Sequence, residues 1–136
     1  MIIKRLELHN FGVYAGDNKF VFENNKPIVL VGGMNGRGKT TFLEAVLLAL
    51  YGANSFAYTE SKHRSYLQYL KSFVNKSAED KNCSVELEFE INNGNKENYI
   101  IKRTWDTLSK KTAEEINVYK DGAYNEFLAA NCPMFI

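Results

Sequence analysis

The chain has 136 residues, with 17 basic and 16 acidic side chains and a net charge of +1. That length suits one domain with a real core, and 45% apolar with 24% charged residues excludes a disordered or fibrous chain. Near-neutral charge gives no general push toward nucleic acid or membrane, so any DNA contact has to be local.

The first predicted element is a strand over residues 2–9, where Ile3, Arg5, Glu7 and His9 alternate with Ile2, Lys4, Leu6 and Leu8. Gly12 and Gly16 flank a turn, and residues 19–23 return as a partner strand with Phe20 and Phe22 on one face. Pro27 ends a polar break. Residues 28–31 then form a continuous apolar run, typical of a strand buried on both faces. A helix follows over residues 39–51, apolar on nearly every side and stopped by Gly52. It is far shorter than the ~20 apolar residues that span a bilayer, and Glu44 interrupts it.

Tyr66, Leu67, Tyr69, Leu70, Phe73 and Val74 recur at helical spacing and predict a second helix over residues 65–75, its aromatics directed to the core. Residues 84–91 are the clearest strand, with Val85, Leu87, Phe89 and Ile91 alternating with Glu86, Glu88 and Glu90. After a turn at residues 92–95 come strands over residues 99–105 and 116–119, an antiparallel meander, and then a short helix within residues 123–131. Cys83 and Cys132 have neither metal-ligand spacing nor a secretory signal upstream, which favours reduced cytosolic thiols and a cytoplasmic location.

One segment carries chemistry. Gly33-Met34-Asn35-Gly36-Arg37-Gly38-Lys39-Thr40 fits G-x-x-x-x-G-K-[ST], the Walker A P-loop, and lies between the buried strand and the helix, where its mechanics require it. Glycines let the backbone curl around a polyphosphate, so that N–H groups and the positive helix end meet the phosphate oxygens. Lys39 is expected against the β- and γ-phosphates of ATP, Thr40 on Mg²⁺, and Thr41 as an additional donor to the α-phosphate. Gly33, Asn35, Gly36, Arg37, Gly38, Lys39, Thr40 and Thr41 are therefore the candidate nucleotide contacts, with Thr40 also the metal ligand.

Other groups read more plainly. Glu86, Glu88 and Glu90 suit a solvated strand face better than a metal site. His9 and His63 lack companion ligands, and the basic runs Lys62-His63-Arg64 and Lys110-Lys111 suit solvated loops better than phosphate contacts. Tyr14 suits either a nucleotide base or a brace within the hairpin.

From Gly32 to Gly52 the text resembles the P-loop and following helix of the SMC-like ATPases of DNA repair and chromosome maintenance. Within them it is most similar to the DndD-type ATPases of DNA phosphorothioate (sulfur) modification, through Asn10-Phe11-Gly12-Val13-Tyr14-Ala15-Gly16 and Tyr66-Leu67-Gln68-Tyr69-Leu70. The resemblance implies an α/β P-loop NTPase fold of the ABC/SMC-head type, here an N-terminal lobe with a mixed sheet and an antiparallel meander. It also implies a C-terminal lobe of the same protein beyond a coiled coil, a second ATPase head, and DNA in the full assembly, with weak DNA contact by residues 1–136 themselves and no membrane partner. Several relatives carry a phosphate-contacting arginine shortly after the first strand, where Gly12 stands here, so that contact is not expected.

The residues agree that the site is incomplete. No apolar run ends in Asp-Glu, no Leu-Ser-Gly-Gly occurs, and the one glutamine, Gln68, falls in a predicted helix rather than a loop. The leading expectation is an ATP·Mg-binding lobe of an SMC-like ATPase that is inactive alone. The alternatives are a nucleotide-gated interaction module without turnover and an ABC-transporter nucleotide-binding domain, which Leu43-Glu44-Ala45-Val46 and the early P-loop disfavour.

Overall fold

Alternation at the N-terminus builds β1 (Ile2–Phe11), whose Leu6 and Leu8 are buried while Arg5, Glu7 and His9 point to the other face. The computed structural model describes residues 2–12, 14–22, 37–52, 58, 65–75, 82–92, 94–106 and 115–131, without the side chains at 37–40, 67, 130 and 131. Six described strands form one sheet in the order β2-β1-β3-β4-β5-β6. Its other members are β2 (Tyr14–Val21), β3 (Asn82–Asn92), β4 (Lys96–Asp106), β5 (Glu115–Lys120) and β6 (Ala123–Tyr124). All five neighbouring pairs are antiparallel, and β3 to β6 run as the expected meander. The apolar run at residues 28–31, which would make the sheet mixed, lies outside the described residues.

Three helices are described: α1 (Arg37–Tyr51), α2 (Tyr66–Ser72) and α3 (Glu126–Asn131). The core forms where α1 and α2 cover one sheet face. Phe42, Ala45, Leu48 and Ala49 of α1 and Tyr69 and Leu70 of α2 meet Leu6, Leu8, Val85, Leu87, Phe89, Ile101 and Val118 of the strands. Small Ala45 and Ala49, both fully buried, let the α1 backbone approach the sheet closely. The helix is less enclosed than its composition predicts: Leu43 stays 45% exposed, because a helix laid on a sheet buries one stripe.

Three of the differences from the sequence reading have a clear local reason. β2 begins at Tyr14 rather than residue 19, because the turn is tight: Asn10 takes a left-handed φ of 52°, the register shifts between His9 and Phe11, and Phe11 already pairs with Tyr14. α2 stops at Ser72 rather than residue 75, since Val74 bridges to Phe11 and the Asn75 N–H donates to Asn10 O. At the C-terminal end, Ala123 and Tyr124 add to β5 as β6. The Asn125 side chain then accepts the Leu128 N–H at 2.9 Å and starts α3 at Glu126.

Candidate functional site

The structure places Arg37, Gly38, Lys39 and Thr40 in the first turn of α1, the end expected to face phosphate. Gly33, Asn35 and Gly36 lie outside the described residues, as do the side chains of residues 37–40. No acidic residue occupies that turn, so the partial positive charge of the helix end is not neutralised from within the helix. Helix end, basic motif residues and absent carboxylates fit a polyphosphate with its Mg²⁺.

Thr41, the last of the expected contacts, is 9% exposed and lies under the β1–β2 turn. Gly12 presses on it. A Cβ at Gly12 would come to 2.6 Å from Thr41 Cγ2, and the Gly12 φ of +59° is itself a glycine conformation. A side chain at this position thus has no room with the turn as it stands. Two bonds anchor the Gly12 backbone to the segment after α2. Its N–H donates to Phe73 O, and its carbonyl accepts from Asn75 Nδ2 at 2.8 Å. Asn10 holds the same turn from inside, accepting the Gly16 N–H at 2.7 Å and donating to Asn82 O at 3.1 Å. Phe11 stacks on Phe73 with ring centroids 4.6 Å apart and meets Trp105 edge-on.

The hairpin itself leans on α1 through aromatic rings. Tyr14 meets Phe20 at 5.6 Å, and Phe20 and Phe22 meet Phe42 at 5.5 and 5.8 Å, all edge to face. Among these contacts Tyr14 serves as the brace of the hairpin. Tyr69 points its hydroxyl at Glu44 of α1 and packs with Tyr58 and Phe73, the core role expected of the α2 aromatics.

At the far end of α1 stands Arg103, 1% exposed, which the motif reading did not single out. Its Nε donates to Ala49 O at 3.1 Å, and its guanidinium occupies the space beside Gly52, whose φ is +55°. α1 has no basic residue in its last turn, so β4 supplies the cation that the helix C-terminus favours. A signal was present: Tyr99, Ile101, Arg103 and Trp105 share one parity of the strand, with a charge among apolar residues.

The opposite sheet face is polar. Arg5 contacts Glu7 at 2.7 Å, Glu86 at 2.6 Å and Glu88 at 3.1 Å, and Lys4 contacts Glu90 at 4.0 Å. Glu86, Glu88 and Glu90 are therefore ion-pair partners on a part-exposed face. A hydrogen bond to Glu86 holds the Glu7 carboxyl above the ordinary carboxylate range, with burial adding to it and Arg5 opposing. Burial pushes Glu86 up as well, but its bonds to Glu7 and Arg5 bring it below that range. His9 Nδ1 lies 2.7 Å from Asp17, at one end of a groove of about 310 Å³ that Lys19, Ser84, Glu86 and Lys102 also line. Cys83 is a free, buried thiol whose ionisation burial suppresses. Cys132, His63 and both basic runs lie outside the described residues. No described helix is long and apolar enough to cross a membrane.

Comparison with known proteins adds a family. Residues 5–128 match the AAA domain family. Over 149 aligned positions the chain is 34% identical to the DNA double-strand break repair Rad50 ATPase of Methanocaldococcus jannaschii, covering 100% of this chain and 12% of that protein. A 48-residue stretch, 35% of the chain, is 48% identical to the SbcC component of the nuclease SbcCD of Treponema pallidum and covers 5% of it. Among solved structures, the recombination mediator protein RecF aligns with a TM-score of 0.54 at 18% identity, over 91% of this chain and 28% of RecF. The α/β P-loop ATPase fold is thereby shared, and the chain spans about an eighth of its Rad50 relative's length.

Proposed function

The chain belongs to the AAA domain family, and on that premise we propose that it is the N-terminal ATP·Mg²⁺-binding lobe of a Rad50/SMC-like ATPase acting in DNA repair. The observation that carries the reading is the motif from Gly33 to Thr40 running into the first turn of α1, with Thr41 buried beneath the β1–β2 turn. By the motif, backbone N–H groups of Gly33, Asn35, Gly36, Arg37 and Gly38 would cradle the phosphates, Lys39 would neutralise the β- and γ-phosphates, Thr40 would hold Mg²⁺, and Thr41 would donate to the α-phosphate. Bound Mg²⁺ supplies charge neutralisation at the transferred group.

Hydrolysis in this reading needs a C-terminal lobe and a second head, as the sequence resemblance implies, and DNA joins the full assembly in the cytoplasm. The name of the Rad50 relative supports repair as the process. Phosphorothioate modification is the narrower second reading. Residues 10–16 and 66–70, which carry that likeness, belong to neighbouring parts of the fold: the turn formed by the first is bonded to residues 73 and 75, just after the second. Loss of phosphorothioate linkages from genomic DNA on deletion of the gene would select it over repair.

Lys39→Ala tests the central assignment. Removing a cation placed against the phosphates should weaken ATP binding at least about tenfold while unfolding stays unchanged, since charge-assisted contacts of this kind contribute roughly 1.5–3 kcal/mol. Equal calorimetric affinity in folded mutant and wild type would refute it.

A further inference from the structure

The contact between Gly12 and Thr41 joins two segments that the sequence keeps well apart, and it is fixed from behind. The Gly12 N–H and carbonyl are both bonded to the strand-like segment after α2, through Phe73 O and Asn75 Nδ2. Asn75 is itself 8% exposed and donates its own N–H to Asn10 O at 2.8 Å. Asn10 in turn bonds Gly16 N and Asn82 O. Phe11, fully buried between Phe73 and Trp105, pins the turn into the core. A turn held at both polar groups of one residue and by a stacked ring has little freedom to slide.

Thr41 is branched at Cβ, so few χ1 rotamers are open to it in a helix, and the hydroxyl can choose among them only if the neighbours permit. The Gly12 backbone lies against the Thr41 methyl: a Cβ built on Gly12 would stand 2.6 Å from Cγ2 and 3.3 Å from Oγ1. We propose that Gly12, held by Asn75, is a positioning residue for the phosphate site: its bare Cα sets where the start of α1 sits and which way the Thr41 hydroxyl turns. This rests on the reading of α1 as the phosphate-binding helix. The helix end is thus located by the β1–β2 turn and the segment after α2 as well as by the P-loop itself.

The methyl supplies the test. In the full-length protein, Gly12→Ala should weaken Mg²⁺·ATP binding at least about tenfold, read by anisotropy of a fluorescent ATP analogue competed with ATP. Thr41→Ser keeps the hydroxyl and removes the struck methyl, and its affinity measured alone is the reference against which the pair is read. The double variant Gly12→Ala/Thr41→Ser should recover most of the lost affinity. Its unfolding temperature without nucleotide should remain lowered, because the strain of alanine at φ +59° persists. A double variant as weak as Gly12→Ala, or a Gly12→Ala protein that binds like wild type, would overturn the proposal.

Should Gly12→Ala not fold, Asn75→Ala loosens the turn by removing one of the two bonds on Gly12, and leaves Gly12 and Thr41 themselves unsubstituted. Measured well below its unfolding temperature, it should bind ATP at least about threefold more weakly, and unchanged affinity overturns the proposal. Wild-type protein that fails to bind ATP would remove the functional reading and this inference with it. ATP binding with an unrescued pair removes the inference alone.

Discussion

At Arg103 a positive charge is 1% exposed within a sheet face otherwise apolar. It is tolerated because its donors meet the end of α1, where carbonyls lack intrahelical partners. Arg103→Met keeps the aliphatic stem and deletes the donors, taking the Nε bond from the Ala49 carbonyl. We expect a loss of about 1–3 kcal/mol in urea unfolding, with Arg103→Lys recovering only part because it lacks the planar fork. The carboxylates on the opposite face make a pH-dependent contribution. Glu7 binds its proton more tightly folded than unfolded, so its contribution is full below the ordinary value of 4.5 and is lost as pH rises through the raised folded value. Glu86 runs the other way, its contribution present above that value and lost as pH falls through its depressed folded value. Glu7→Gln should therefore flatten the stability profile above pH 4.5, by roughly 0.5 kcal/mol or less because the side chain is 39% exposed and screened. A wild-type and mutant urea midpoint that fall in parallel with pH would contradict it.

Element by element, α2 depends least on its own propensity. Seven residues are too few for an isolated helix in water, and tertiary contacts hold it: Ser65 caps its N-terminus, Tyr69 and Leu70 enter the core, and Trp105 Nε1 donates to Leu70 O at 2.7 Å. Trp105→Phe retains most of the ring and loses that bond. We expect about 1–2 kcal/mol of destabilisation by circular dichroism, with hydrogen exchange rising first at the amides of α2 and of residues 73–75. Uniform exchange across the sheet would show that Trp105 supports the whole core rather than this element.

For the whole molecule, the decisive expectation concerns turnover. A P-loop lobe positions phosphate and metal, whereas hydrolysis also needs an oriented water and compensation for charge developing at the transferred group. Residues 1–136 alone should release phosphate from ATP no faster than their Lys39→Ala variant. Robust turnover abolished by that substitution would place the catalytic set within this chain. DNA binding by the same chain should be weak, since a net charge of +1 displaces few counterions, and a tight complex that survives raised salt in a mobility-shift titration would contradict it.

The nucleotide motif, the long first helix and the meander were legible because each rests on local chemistry. Glycine spacing, a 3.6-residue stripe and period-2 alternation act within one element or between chain neighbours. β3 and β4 accordingly fall close to their expected bounds, at Asn82–Asn92 and Lys96–Asp106. The end of α2, the start of β2 and the roles of Gly12, Asn75 and Arg103 were not legible. Phe73, Val74 and Asn75 carry helical spacing and sit next to a helix, yet bonds to Asn10 and Gly12 draw them out of it, across more than 60 residues of chain. Gly12 reads as an ordinary turn glycine until Thr41 stands against it. Arg103 breaks a strand pattern whose meaning depends on the end of α1 lying above it. Residue spacing determined the elements and carried the phosphate-binding motif, while the packing of distant backbone carbonyls and amides decided where α1 is held at both ends, because such partners are set by position in space and leave no local pattern.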